Sequence, residues 1–133
     1  MNKNILITGA DGQDGRILIN RLKKKQNYLY LISKNFSQKK FKKNKYLSFS
    51  LGKKEKLEEF FKNNKVDIIF HLASNNPTFG EDNFRLHYRE NFSNLKNLIN
   101  FSLKYNKKIK FISSGSSRIF KKKNGFVDEN STI

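Results

Sequence analysis

The chain has 133 residues and carries 28 Lys and Arg against 11 Asp and Glu, a formal net charge of +17. It contains no cysteine, which excludes both a disulfide framework and a zinc site built from thiolates. No apolar run approaches the roughly 18 residues that a membrane-spanning helix needs, so we expect a cytoplasmic protein without a membrane partner.

Lysine supplies most of the positive charge. The chain has 23 lysines, 5 arginines and 18 asparagines, a mixture that A/T-rich codons favour. Arginine, the residue best suited to bidentate contacts with phosphate and guanine, is scarce. We therefore interpret the lysines as a solvated surface and expect no nucleic-acid partner. The alternative, a nucleic-acid footprint, predicts an affinity that falls steeply with salt.

The first predicted strand (residues 4–8) leads into a glycine-rich turn. The turn reads Thr-Gly-Ala-Asp-Gly-Gln-Asp-Gly from Thr8 to Gly15, and a predicted helix covers residues 13–25. This pattern is typical of a dinucleotide site, because bare backbone N–H groups and the helix dipole attract a diphosphate. The alternative is a tight turn without a ligand. The predicted cofactor contacts here are Thr8, Gly9, Gly12, Gln13, Asp14 and Gly15.

Six further elements follow in chain order. A strand (28–33) precedes a lysine-rich loop (34–45), another strand (46–51) and a short helix (54–63). A nearly continuous apolar strand (66–72) is expected to be covered on both faces. A long helix (83–105) and a last strand (110–114) come next, and residues 115–133 are predicted to be irregular. Expected apolar contacts are Leu57, Phe60 and Phe61 in the short helix, and a stripe of Tyr88, Phe92, Leu95, Ile99 and Leu103 in the long one.

Strands that alternate with helices predict an α/β fold of the Rossmann type. The expected architecture is a doubly wound parallel sheet in three layers, α/β/α, with strand order 3-2-1-4-5. Ligands bind outside the carboxyl ends of such strands, beside the first strand. Four groups converge there: the glycine turn, Ser33-Lys34, Ala73-Ser74-Asn75 and residues 114–117.

The end of the second strand bears on the cofactor. An acidic residue at this place binds the ribose hydroxyl of NAD, whereas a cation accommodates the additional phosphate of NADP. The segment Leu31-Ile32-Ser33-Lys34-Asn35 has no carboxylate. We predict NADP, bound by Ser33 and Lys34, with NAD as the less favoured cofactor. In a chain so rich in lysine, an incidental Lys34 remains the alternative.

Four stretches resemble the extended short-chain dehydrogenase/reductases, which include the nucleotide-sugar epimerases and dehydratases. The motif Thr8-Gly-x-x-Gly-x-x-Gly15 looks like their cofactor turn, and its inner Gly12-Gln13-Asp14-Gly15 is most similar to the GDP-mannose 4,6-dehydratase branch. The other stretches are residues 66–73, 88–91 and 111–117. The resemblance implies cofactor contacts or support from Leu72, Ala73, Ser74, Asn91 and Ser114, and a catalytic hydroxyl on Ser116.

The reaction implied by this resemblance begins with hydride transfer from the sugar C4 to the nicotinamide of NADP. A dehydratase then eliminates water across C5 and C6, whereas an epimerase returns the hydride to C4. Ser116 would bond the sugar hydroxyl, since a serine hydroxyl both donates and accepts. The alternative role for Ser116 is to cap a turn. The implied partner of the full-length enzyme is a nucleotide sugar.

The chain departs from the family pattern at three places. Its Tyr-x-x-x-Lys pair is missing before Ile133, Arg118 stands where the dehydratase branch has a glutamate, and no acidic residue follows the third strand to contact adenine. We therefore expect an incomplete Rossmann domain over residues 1–133 that lacks the substrate domain, binds dinucleotide and does not turn over alone. A non-catalytic dinucleotide-binding module is the alternative. An exposed sheet edge makes a homo-oligomer possible.

The two histidines do not predict a metal site. His71 ends an apolar strand and His87 lies on the long helix, sixteen residues away, with no cysteine to join them. Packing and surface roles are expected instead.

Overall fold

A computed structural model of the chain describes residues 2–25, 27–34, 36, 44–75 and 84–115. Within these ranges it has five strands and three helices. In chain order they are β1 (Asn4–Thr8), α1 (Gln13–Leu22), β2 (Tyr28–Ser33), β3 (Lys45–Ser48), α2 (Lys54–Asn63), β4 (Ile68–His71), α3 (Phe84–Tyr105) and β5 (Lys110–Ser113).

All five strands pair in parallel, in the order β3-β2-β1-β4-β5. The order confirms the predicted doubly wound sheet and places β1 at its centre. Leu6 of β1 lies opposite Tyr30 of β2 on one side and Ile69 of β4 on the other. Because parallel strands run the same way, the turns after β1, β2, β3 and β4 all emerge at one edge of the sheet.

The core has two parts, one on each face of the sheet. Side chains alternate between the faces along a strand, and both sets are buried in β1 and β2, as a sheet covered on two sides requires. Ile5, Ile7, Leu29 and Leu31 pack with Ile19 of α1. On the opposite face, Leu6, Ile32 and Ile69 pack with Leu57, Phe60 and Phe61 of α2 and with Leu98 of α3. The buried residues predicted for α2 are confirmed.

Several element ends differ from the prediction by one to three residues. The helix α1 ends at Leu22 rather than residue 25, because the N–H of Lys25 donates to the carbonyl of Leu22 in a tight final turn. β3 ends at Ser48 rather than residue 51, and Leu51 and Gly52 form a turn before α2. β4 spans only 68–71, the four residues that pair with β1 on one side and with β5 on the other. Of the predicted irregular segment 115–133, only Gly115 lies within the described residues.

The predicted apolar stripe of α3 is wrong as a description of the buried face. Tyr88, Phe92 and Leu103 are exposed, whereas Leu98 and Ser102 are buried against the sheet side. Positions 98 and 99 differ by about 100° around a helix, so a stripe displaced by one residue points in a different direction. The helix therefore has apolar residues on two faces, and packing on the sheet selects the face that contains Leu98.

Within the described residues, β4 has side chains packed on both faces, but one face is covered less deeply than the other. Ile69 is buried under α2 and α3, but Ile68 and Phe70, on the face of α1, are only partly buried. Helix α1 lies over β1 and β2, which leaves Ile112 of β5 47% exposed on that same face. None of the described helices is long and apolar enough to cross a membrane.

Candidate cofactor site

The turn after β1 passes close against the end of β4. Among the glycines that the structure describes, Gly9 has a positive φ, of 69°. Residues with a Cβ rarely adopt this conformation. A Cβ on Gly9 would also lie 2.7 Å from the backbone nitrogen of Ala73. Glycine at this position therefore lets the turn close over the β4 end. Gly15 has a related role, because a Cβ there would press on the backbone of Gly9 and Ala10.

The amino terminus of α1 is open to a ligand. Gly12 is its N-cap residue and no side chain caps it. The first helical hydrogen bond runs from the N–H of Arg16 to the carbonyl of Gly12. Within the described residues, the backbone N–H groups of Gln13, Asp14 and Gly15 therefore have no backbone or capping acceptor. Such donors at the positive end of a helix dipole bind anions.

A cavity of about 410 Å³ opens beside this helix end, along the carboxyl edge of the sheet. It lies at the point where the chain leaves β1, β2, β3 and β4. The cavity is lined by nine of the residues predicted from sequence: Gly9, Gly12, Ser33, Lys34, Leu72, Ala73, Ser74, Asn75 and Asn91. The structure thus brings together segments that are up to 82 residues apart (9 to 91) in the sequence.

Thr8 lies beneath the cavity and does not line it. The side chain is fully buried, and its hydroxyl lies 2.7 Å from Nδ1 of His71, the residue beside it on β4. The same hydroxyl accepts a hydrogen bond from the backbone N–H of Ala73 at 3.4 Å. Burial lowers the pKa of His71, so the imidazole is neutral near neutral pH. This buried pair holds the carboxyl ends of β1 and β4 together.

An asparagine pair fixes the loop after β4 to α3. The backbone N–H of Asn75 donates to Oδ1 of Asn91 at 2.7 Å, and Nδ2 of Asn91 donates back to the carbonyl of Asn75 at 3.0 Å. The side chain of Asn75 also donates to Glu90 Oε2 at 2.7 Å. Asn91 therefore supports the cavity wall through the β4 loop, the role that the family resemblance implied.

Part of the cavity lining was not predicted from the sequence. Glu90 and Asn94 of α3 line it, as does the turn after β3, residues 49–52. Helical periodicity could not identify the two α3 residues, because the predicted face of that helix was displaced. The turn at 49–52 was expected near the adenine, but it carries no charged group that would mark it.

The remaining predicted site residues lie elsewhere. Gln13 and Asp14 are exposed at the start of α1, outside the cavity lining. Ser114 follows β5, and its N–H and hydroxyl both donate to the carbonyl of His71, at 3.1 and 3.4 Å. Ser116 lies outside the described residues, so its catalytic role stays a prediction. No group of three or more potential metal ligands occurs in the described part of the chain.

Solved structures share this architecture. An epimerase from Methanothermobacter thermautotrophicus is 20% identical, with a TM-score of 0.82 over 99% of this chain and 41% of that protein. UDP-glucose 4-epimerase from Thermotoga maritima, solved with UDP-glucose, is 23% identical, with a TM-score of 0.75 over 86% and 38%. A short-chain dehydrogenase from Leptospira borgpetersenii with bound NAD⁺ is 18% identical, with a TM-score of 0.73 over 87% and 52%.

At these identities the likeness shows the fold alone. The chain spans between 38% and 52% of the length of these three proteins. No protein of curated function matches it in sequence. A sequence model described as the NAD dependent epimerase/dehydratase family, however, matches residues 5–133. The match covers nearly all of the chain, and the glycine turn, the open helix end and the cavity agree with it. The chain therefore belongs to the NAD-dependent epimerase/dehydratase family.

Proposed function

We propose that this chain is the NADP-binding portion of a nucleotide-sugar 4,6-dehydratase similar to GDP-mannose 4,6-dehydratase. The observation that carries the proposal is the uncapped amino terminus of α1 beside a cavity of about 410 Å³. Bare amide donors at Gln13, Asp14 and Gly15 suit a diphosphate. Gly12 also lines the cavity, where the absence of a side chain leaves room for the ligand. Its own N–H donates to the carbonyl of Gly9 at 3.0 Å.

The choice of NADP rests on the end of β2. Ser33 and Lys34 line the cavity there, at the place where a dinucleotide fold holds the adenosine ribose. An ammonium group and a hydroxyl suit a 2′-phosphate, whereas a ribose diol is matched by a carboxylate. The carboxylate that lines the cavity, Glu90, lies on α3 and accepts a hydrogen bond from Asn75 instead.

A bound nicotinamide would supply the acceptor for a hydride from the carbon that bears the sugar hydroxyl. This chain's residues position and enclose the cofactor: the α1 end for the diphosphate, Lys34 for the 2′-phosphate, and the Asn75–Asn91 pair for the wall at the β4 loop. Ser116 is proposed to bond the sugar hydroxyl. A second candidate is a nucleotide-sugar epimerase or reductase, favoured by Arg118 in place of the dehydratase glutamate, since arginine stays protonated and cannot abstract a proton.

Gly12→Val tests the cofactor site. A Cβ on Gly12 would lie 3.2 Å from the carbonyl oxygen of Gly9, a tight contact but not a collision, and the added methyl groups should obstruct the cavity. Titration of the purified chain with NADPH should show an affinity lower by at least about tenfold, or 1.4 kcal/mol. Thermal unfolding should confirm that the variant is folded. Binding equal to that of the unchanged chain would contradict the proposal.

Lys34→Asp tests the choice between the two cofactors. The ratio of NADPH to NADH affinity should fall by about tenfold or more, because a hydrogen bond to a charged group is replaced by repulsion. Lys107→Asp is the matched control. It makes the same change in net charge on an exposed turn away from the cavity, and it should leave the ratio unchanged. An unaltered ratio in Lys34→Asp would exclude the assigned role.

A further inference from the structure

Asn94 of α3 stands out among the asparagines of the cavity because its amide has no partner. Asn75 and Asn91 are bonded to each other, and the side chain of Asn75 also donates to Glu90. Asn94 lines the same cavity and is half-buried. Across the ranges that the structure describes, its side chain forms neither a hydrogen bond nor an ion pair. Because Asn94 is not fully buried, the donor and the acceptor of its amide remain accessible to a ligand in the cavity.

The location of Asn94 identifies the part of the ligand that it would meet. A methyl group built on Gly52 would lie 3.5 Å from Oδ1 of Asn94, so this amide stands beside the turn after β3. In a dinucleotide fold the diphosphate lies at the turn after β1 and the adenosine ribose at the end of β2. Since β3 is the next strand outward, the base belongs beside residues 49–52, next to Asn94.

Two backbone N–H groups at the end of that turn are already engaged. The N–H of Gly52 donates to the Ser50 hydroxyl at 3.3 Å, and the N–H of Lys53 donates to the carbonyl of Ser50 at 2.9 Å. The nearby walls of the cavity are apolar, formed by Ile32, Phe49 and Leu51. They can contact the faces of a base but cannot read its polar edge.

We infer that Asn94 recognises the adenine of the bound dinucleotide. Its amide presents a donor and an acceptor side by side, which match the 6-amino group of adenine and an adjacent ring nitrogen. Asparagine is the side chain that pairs with adenine in this bidentate way in nucleic-acid recognition. Asn94 thereby supplies base specificity where no acidic side chain follows β3. This inference rests on the proposed dinucleotide function.

The experiment compares NADP⁺ with 1,N⁶-etheno-NADP⁺, in which a bridge blocks both the 6-amino group and ring nitrogen 1. Affinities are measured by calorimetric titration for the unchanged chain, Asn94→Leu and Asn100→Leu. Leucine has the same branched shape as asparagine without its polar atoms. Asn100 is exposed on the same helix and does not line the cavity, so its variant is the matched control.

The unchanged chain and Asn100→Leu should prefer NADP⁺ by about tenfold, the effect of one or two net hydrogen bonds. Asn94→Leu should lose this preference through weaker NADP⁺ binding, with the affinity for the etheno compound unchanged. If Asn94→Leu does not fold, Asn94→Ala is judged by the same result. A preserved preference, or an equal loss for both compounds, would overturn the role of Asn94.

Gly12→Val in the same titration distinguishes a failure of the adenine role of Asn94 from a failure of the proposed function. If the unchanged chain binds NADP⁺, Gly12→Val abolishes binding and Asn94→Leu keeps the preference, the adenine role fails and the proposed function stands. If the unchanged chain binds neither compound, or if Gly12→Val binds both as well, the proposed function fails and the inference fails with it.

Discussion

Thr8 and His71 show how two residues on different strands prepare the floor of the cavity. Their side chains meet at 2.7 Å where β1 and β4 end, and both are buried. The Thr8 hydroxyl also accepts the N–H of Ala73, which lines the cavity. The pairing of β1 with β4 therefore fixes the position of the cavity wall at Ala73. Gly9 completes the arrangement, since any side chain there would collide with Ala73.

His71 makes stability depend on pH in a definite direction. Burial lowers the pKa of His71 in the folded chain below the ordinary value of 6.5. Between this lowered pKa and 6.5, the unfolded chain therefore binds more protons than the folded chain. The stability that depends on a neutral His71 is complete above pH 6.5 and is lost as the pH falls below this value. The urea midpoint should therefore drop between about pH 7.5 and about pH 5.5.

His71→Asn keeps a polar group near Thr8 and removes the titration, so its midpoint should fall less over the same range. An identical decrease for the unchanged chain and His71→Asn would show that His71 does not cause the effect.

The helix α3 both packs on the sheet and lines the cavity. Its inner face covers the sheet through Leu98, and its amino-terminal half lines the cavity with Glu90, Asn91 and Asn94. Lys104 near its end donates to Glu58 of α2 at 2.6 Å. This hydrogen bond lowers the pKa of the Glu58 carboxyl. Because that pair is exposed, apolar packing rather than charge joins the two helices.

Leu98→Ala and Leu103→Ala form a matched pair on this helix. Leu98 is fully buried and Leu103 is 43% exposed. We expect Leu98→Ala to lower the free energy of unfolding by about 2–5 kcal/mol, from lost burial and a residual cavity, and Leu103→Ala to lower it by less than about 1 kcal/mol. Urea unfolding measures both. Equal losses would mean that α3 packs on the sheet through a different face.

The whole molecule combines a buried centre with a strongly charged surface. Its net charge of +17 comes mostly from lysines distributed along the chain. Two apolar areas are only partly covered within the described residues: the outer face of α3, where Tyr88 and Phe92 stack with ring centroids 6.5 Å apart, and the face of β5 at Ile112. The homo-oligomer expected from an exposed sheet edge stays a prediction.

Salt should stabilise the molecule if the lysines form a solvated, mutually repelling surface. Screening shortens the reach of exposed charges from about 30 Å at 0.01 M to about 8 Å at 0.15 M ionic strength. The melting temperature should therefore rise over this range in sodium chloride, and equally in potassium chloride, the control for a specific ion effect. A constant or decreasing melting temperature would contradict this view of the surface.

Local pattern was enough for much of this protein. Strand and helix types, the order 3-2-1-4-5 and the glycine turn all followed from the sequence, because they depend on side-chain periodicity, on backbone freedom at Gly9 and on the handedness of crossovers. Ser33, Lys34 and Ser74 could be named as well, since the carboxyl ends of parallel strands must share an edge. Asn91 was named from the family resemblance instead.

Only the tertiary structure decided which face of α3 is buried and hence that Glu90 and Asn94 reach the cavity. Apolar residues occupy two faces of that helix, so periodicity alone leaves its rotation open, and packing against Leu6, Ile69 and the α2 side chains selects one. The Thr8–His71 bond likewise depends on the pairing of β1 with β4 across 63 residues. Contacts between segments so far apart are set by how the elements pack, which no local pattern encodes.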